Sequence, residues 1–133
     1  MRGFNLIVIS CSNFSGCLTP LGMESETIAD AQITASTMRD VNSSPRLARL
    51  QLKADGITQG GWSALRNDPN QWLQVDLGSY TTLTRVATQG RNGFSEWVTK
   101  YRIQYSNDRG TFQVYREQGA SLPRFLGDDF VIF

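Results

Sequence analysis

The chain has 133 residues, 40% apolar and 19% charged, with a net charge of +1. This is the composition of a folded domain, and its charge balance gives no case for nucleic acid as a partner. Histidine is absent, so no Ser-His-Asp triad, Cys-His pair or histidine-bearing zinc site can be assembled.

Taken from the N-terminus, Arg2 precedes a short apolar stretch, Phe4–Ile9, interrupted by Asn5. Residues 1–16 read as a leader or weak signal-like segment, shorter than a standard signal core, or as a strand-like piece without a targeting role. Cys11 and Cys17 lie close together in a spacing that fits no zinc pattern. Two sequons, Asn13-Phe14-Ser15 and Asn42-Ser43-Ser44, are consistent with export. Gln32–Thr37, rich in β-branched and small residues, predicts a strand. Met38–Leu52 carries the best helical periodicity of the chain, interrupted by Pro45. In "NQWLQVDLG", residues 70–78, Leu73, Val75 and Leu77 alternate with Gln74 and Asp76, the pattern of a half-buried strand. Leu83–Gln89 predicts a neighbouring strand. Val98–Tyr105 alternates again, with Thr99, Tyr101, Ile103 and Tyr105 on one face. After the turn Ser106–Gly110, Phe112–Tyr115 and Phe130–Phe133 predict further strands. No stretch is long enough to cross a bilayer as a helix. Short strands separated by turns predict an all-β sandwich or jelly roll.

Several of these segments form an ordered set. Cys17-Leu18-Thr19-Pro20-Leu21-Gly22-Met23-Glu24 is followed by Gln32-Ile33-Thr34-Ala35-Ser36, Ala48-Arg49-Leu50, Gly61-Trp62, "NDPNQWLQVDLG", Thr88-Gln89-Gly90-Arg91, Glu96-Trp97-Val98 and Tyr105-Ser106-Asn107-Asp108. In this order and spacing they resemble the discoidin family, also called the coagulation factor V/VIII type C domain, over Cys17 to about Gly127. The resemblance implies an all-β discoidin-type jelly-roll barrel of two antiparallel sheets spanning residues 17–133. It also implies an extracellular or cell-surface binding module that is not an enzyme, binding through loops at one end of the barrel. Relatives continue past the stretch resembling Phe125-Leu126-Gly127 to further strands and a closing cysteine. The expectation is therefore a domain incomplete at its C-terminus, with Cys17 free, paired with Cys11 or paired with another chain. Loss of such a bridge costs about 2–5 kcal/mol.

Most of the matched residues read as structural. Trp72, Leu73, Val75 and Leu77 are expected in the core, Trp62 and Trp97 as core or rim anchors, and Arg49 as a partner of Asp76. Function is then expected in three loops, 37–47, 53–61 and 90–96, because a rigid scaffold presenting loops suits binding. The candidate ligand-binding residues are Met38, Arg39, Asp40, Val41, Asn42, Arg91, Asn92 and Phe94. Their arginines, amides and aromatic ring suit a cell-surface glycan or glycoprotein, the first expectation. The alternative is an anionic phospholipid surface, with Met38, Val41 and Phe94 entering the interface beside Arg39 and Arg91. Against that alternative stand a first loop without tryptophan and the sequon at Asn42. No cofactor or metal is expected. Asp55, Asp68, Asp128 and Asp129 are available oxygen donors, but no dense acidic loop appears. The scattered carboxylates, Glu24, Glu26, Asp76, Glu96 and Asp108, do not form the fixed pair that a glycosidase needs.

Overall fold

The computed structural model describes residues 4–10, 19–116 and 125–132. Cys11, Cys17, the Asn13 sequon and Phe133 lie outside the described residues. The elements are strands β1 (Phe4–Ser10), β2 (Thr19–Pro20), β3 (Ile33–Ala35), β4 (Leu73–Gly90), β5 (Ile103–Ser106), β6 (Gln113–Val114) and β7 (Phe125–Ile132), with three single turns of 3-10 helix. The fold is all-β. The hydrogen-bonded order is β2-β1-β4-β7-β5-β6, with β3 also on β4. The stretch Phe4–Ile9 thus lies in a strand, paired antiparallel with Arg85–Gly90 of β4.

The strands predicted at Trp72–Leu77 and Leu83–Gln89 are one continuous element. β4 runs 18 residues, and its pairing with β7 shifts register between Asp76 and Thr81. Gly78 lies in that irregularity with φ +74°, a backbone conformation that costs glycine nothing. The irregularity divides the labour of β4. Leu73–Val75 is flanked by β3 and β7, whereas Leu83–Gly90 pairs with β1.

Alternation in β4 buries Leu73 and Val75 completely, and Leu83 follows in the second half. They join Met23, Ile28, Ile33, Ala48 and Trp62 in one core, against which Leu77, Val86, Ile103 and Tyr105 pack. Burying each large apolar side chain contributes about 1.5–3 kcal/mol. The Trp62 indole N–H donates to the Thr37 carbonyl at 2.9 Å, so its polar edge is satisfied inside. Trp72 is half-buried and lies outside this cluster, and Trp97 is exposed.

Three expectations are corrected. Met38–Leu52 is not a helix: it holds two 3-10 turns, Val41–Ser43 and Pro45–Leu47. Ser44 between them is extended, φ −69° and ψ 161°, as the residue before proline is driven to be. Arg49 does not pair with Asp76. Its buried guanidinium donates to the carbonyls of Met23 and Ile28, each at 2.9 Å, and to Asp30 Oδ1 at 2.6 Å. That fork pins the 22–30 segment onto the core, while Asp76 faces Arg109 at 3.4 Å. The strand predicted from Val98 begins only at Ile103.

Candidate functional site

The three loops are cross-linked to one another. Backbone bonds start the assembly: Arg39 N–H donates to Ser63 O at 2.9 Å, Gln59 N–H to Asn42 O at 2.8 Å, and Ser63 N–H to Ser43 O at 3.1 Å. The third loop joins through Asn92, whose N–H donates to Gly60 O at 3.4 Å and whose Oδ1 accepts from Ala54 N–H at 3.3 Å. Gly60 is required where these chains meet. Its φ is +56°, and a Cβ there would stand 2.9 Å from Ala54 N and 3.1 Å from Asn92 Cβ.

Side chains reinforce the same junction. Arg39 donates to Gln59 Oε1 and lies 3.5 Å from Glu96 Oε1 and 3.5 Å from Asp40 Oδ2. Glu96 Oε2 in turn receives Arg91 Nη1 at 2.5 Å, and Arg91 Nη1 also donates to Ser63 Oγ at 2.8 Å. The Phe94 ring closes over Arg91, 3.5 Å from ring centroid to Cζ, a cation–π geometry. Burial lowers the Arg91 pKa from its ordinary value, and Glu96 opposes that shift. Its Nε and Nη2 are buried without hydrogen-bond partners among the described residues. Burial works to raise the Asp40 pKa, but the Ser43 hydroxyl at 2.9 Å and the Arg39 charge outweigh it and hold the carboxyl below its usual value.

The eight candidate residues therefore share one assembly but not one role. Met38, Val41 and Phe94 are exposed at 46%, 66% and 47%. Arg39 is partly exposed with its guanidinium engaged, and Asp40 and Asn42 are half-buried. Asn92 is exposed, with its side chain spent on the second loop. Arg91 is buried beneath the loops. Ile57, outside the candidate set, is the most exposed large hydrophobic residue of the three loops at 75%. It sits beside Gly56 in a turn held by Asp55 Oδ1, which accepts from Ile57 N–H at 2.9 Å and Thr58 N–H at 2.6 Å. An aliphatic residue at the tip of a glycine turn was the available signal. Gln59, Ser63 and Glu96, the cross-linkers, carried none.

A sheet-based scaffold presenting three interlocked loops defines a class of binding domain, and the family comparison agrees. The F5/8 type C domain matches residues 32–124, and the chain belongs to that family. It is 38% identical over 117 residues to lactadherin of Rattus norvegicus, covering 80% of this chain and 26% of that protein. It is 41% identical over 112 residues to the human EGF-like repeat and discoidin I-like domain-containing protein 3, covering 78% and 23%. With coagulation factor V of Pseudonaja textilis the figures are 36% over 131 residues, 94% and 9%. The chain thus spans about a quarter or less of the length of these relatives. Domains of this family are non-catalytic binding modules, and this one is placed outside the cell or at its surface. Among the described residues no helix is long and apolar enough to cross a membrane.

Proposed function

We propose that this domain is a ligand-binding module whose three-loop face engages a phospholipid membrane surface. The observation that carries this reading is the exposure of Met38, Val41, Ile57 and Phe94 on loops bonded directly to one another. Exposed apolar side chains at interlocked tips suit the headgroup–acyl boundary. Arg39, Arg46 and Lys53 on the same loops supply cations for headgroups. Asp40, Asp55 and Glu96 offset them, so apolar insertion drives binding and its salt dependence is shallow.

The glycan reading at this face loses support because its polar groups are already used. Arg39 serves Gln59 and Glu96, Asp40 serves Ser43, Asn92 serves Ala54, and Arg91 is buried. Co-sedimentation with phosphatidylcholine vesicles, with and without phosphatidylserine, tests the proposal. The parent chain is expected to sediment with the vesicles, with a modest preference for phosphatidylserine. Failure to sediment with either composition would overturn it.

A further inference from the structure

Asn92 is the one asparagine of the chain that is followed by glycine. A backbone amide can attack the carboxamide of the preceding side chain most readily where its own residue carries no Cβ to block the approach. Both residues of the pair are exposed. Gly93 stands at φ +78°, with no heavy atom within 4 Å of where a Cβ would be. Its N–H makes no hydrogen bond among the described residues. The group that must lose a proton to become the nucleophile is therefore unengaged.

The turn around the pair is lightly held. Phe94 N–H reaches Arg91 O at 3.3 Å, Asn92 N–H reaches Gly60 O at 3.4 Å, and Ala54 N–H reaches Asn92 Oδ1 at 3.3 Å. All three exceed the usual range of about 2.7–3.2 Å, so they resist rotation of the pair only weakly. The bond from Ala54 also assists. A donor aimed at Oδ1 stabilises the negative charge that gathers there as the carboxamide carbon becomes tetrahedral.

Asp55-Gly56 in the second loop is the internal contrast. Its glycine is as open, with φ +89° and nothing near a Cβ. Asp55 Oδ1, however, accepts from Thr58 and Ile57 N–H, which keeps the carboxyl ionised and below its ordinary pKa. A carboxylate is a poor electrophile, so the same ring closure is disfavoured there.

We propose that Asn92 is a site of spontaneous deamidation in the folded chain, and that the reaction unlatches the third loop from the second. Gly93 N, its proton lost to solvent base, bonds to Asn92 Cγ. The Cγ–Nδ2 bond breaks, and Nδ2 takes a proton from water and leaves as ammonia. Water then opens the resulting succinimide at either carbonyl, giving aspartate or isoaspartate, with no change of oxidation state. Isoaspartate routes the main chain through Cβ and Cγ, lengthening it by one carbon at the junction with Ala54 and Gly60. Both products also place a negative charge there.

The test incubates the whole chain in mildly alkaline buffer at physiological temperature. Peptide mass mapping follows each asparagine, and isoaspartyl methyltransferase separates the isomers. Asn92 is expected to convert ahead of Asn42, Asn67, Asn70 and Asn107, mainly to isoaspartate. Amides 54–60 of the aged chain should exchange hydrogen several-fold faster than in the fresh chain. Asn92→Gln, aged in the same way, should exchange there as its own fresh sample does. The proposal is overturned if another asparagine converts first, or if Asn92 converts only when the chain is unfolded in urea. It is equally overturned if amides 54–60 exchange alike in fresh and aged chains, or if aged Asn92→Gln shows the same acceleration.

Discussion

The loop face and the neighbouring Trp97 cleft, lined by residues 67–69 and 95–102, both expose large apolar side chains, yet they handle polar groups differently. On the loop face Arg39, Asp40, Asn92 and Glu96 bond one another or nearby backbone, and the tips left outward are Met38, Val41, Ile57 and Phe94. In the cleft the aromatics share the lining with polar side chains, and Asp68 Oδ1 accepts from Asn70 N–H and Gln71 Nε2. Residue type alone does not reveal what a loop offers a ligand. The decisive quantity is how much hydrogen-bonding capacity the fold has already consumed.

The largest effect should come from breaking the internal network of the loop face. Glu96→Ala removes the partner of buried Arg91, and an uncompensated buried charge costs about 3–5 kcal/mol. A denaturant titration should show that loss, or a chain that no longer folds; an unchanged midpoint would mean that Glu96 does not hold the loops. Trp97→Ala, next in sequence but open to solvent, should shift stability by no more than about 0.5 kcal/mol.

Next come the tips. Val41→Asp and Ile57→Asp should each weaken vesicle binding about tenfold or more, because a side chain of this size contributes about 1.5–3 kcal/mol on burial and tenfold is about 1.4 kcal/mol. Their melting temperatures should match the parent chain. Unaltered vesicle affinity in both would sever the link between exposure and function.

A smaller effect is expected at Asn42. A glycan there would add hydrophilic bulk beside Val41. Chain produced with that site glycosylated should bind vesicles several-fold more weakly than Asn42→Gln from the same source. Equal binding would remove Val41 from the contact surface.

Acid titration should give the gentlest change. Asp40, Asp55 and Asp68 all have pKa values below the ordinary 3.8 in the folded chain. For Asp55 and Asp68, backbone and side-chain donors in their own turns are the main cause. A lowered folded pKa means that the stabilisation is complete above the unfolded value and disappears as pH falls through the folded one. Denaturant midpoints should therefore hold steady down to about pH 5 and decline below about pH 4. Midpoints that rise on acidification would contradict this.

The β scaffold was legible because strand alternation is local: Leu73, Val75 and Leu77 announce their face over five residues, and the structure buries the first two completely. The continuity of β4 was less visible, since the segments around Leu73–Leu77 and Leu83–Gln89 read as two strands but form one, with an irregularity between Asp76 and Thr81. The helical pattern of Met38–Leu52 misled because Pro45 and extended Ser44 split it into two short turns. The loops themselves were readable from sequence, but not the state of their residues. Arg39 meets Gln59 and Glu96 across 20 and 57 positions of chain, so its engagement is a tertiary fact. The burial of Arg91 beneath Phe94 is of the same kind.

Hydrogen exchange of the chain with and without phosphatidylserine-containing vesicles reads both regions in one experiment. Amides in 38–42, 55–59 and 92–95 should gain protection on the vesicles, while 97–102 exchanges as before. Protection confined to 97–102, or none in the three loops, would show that the loop face does not meet the membrane.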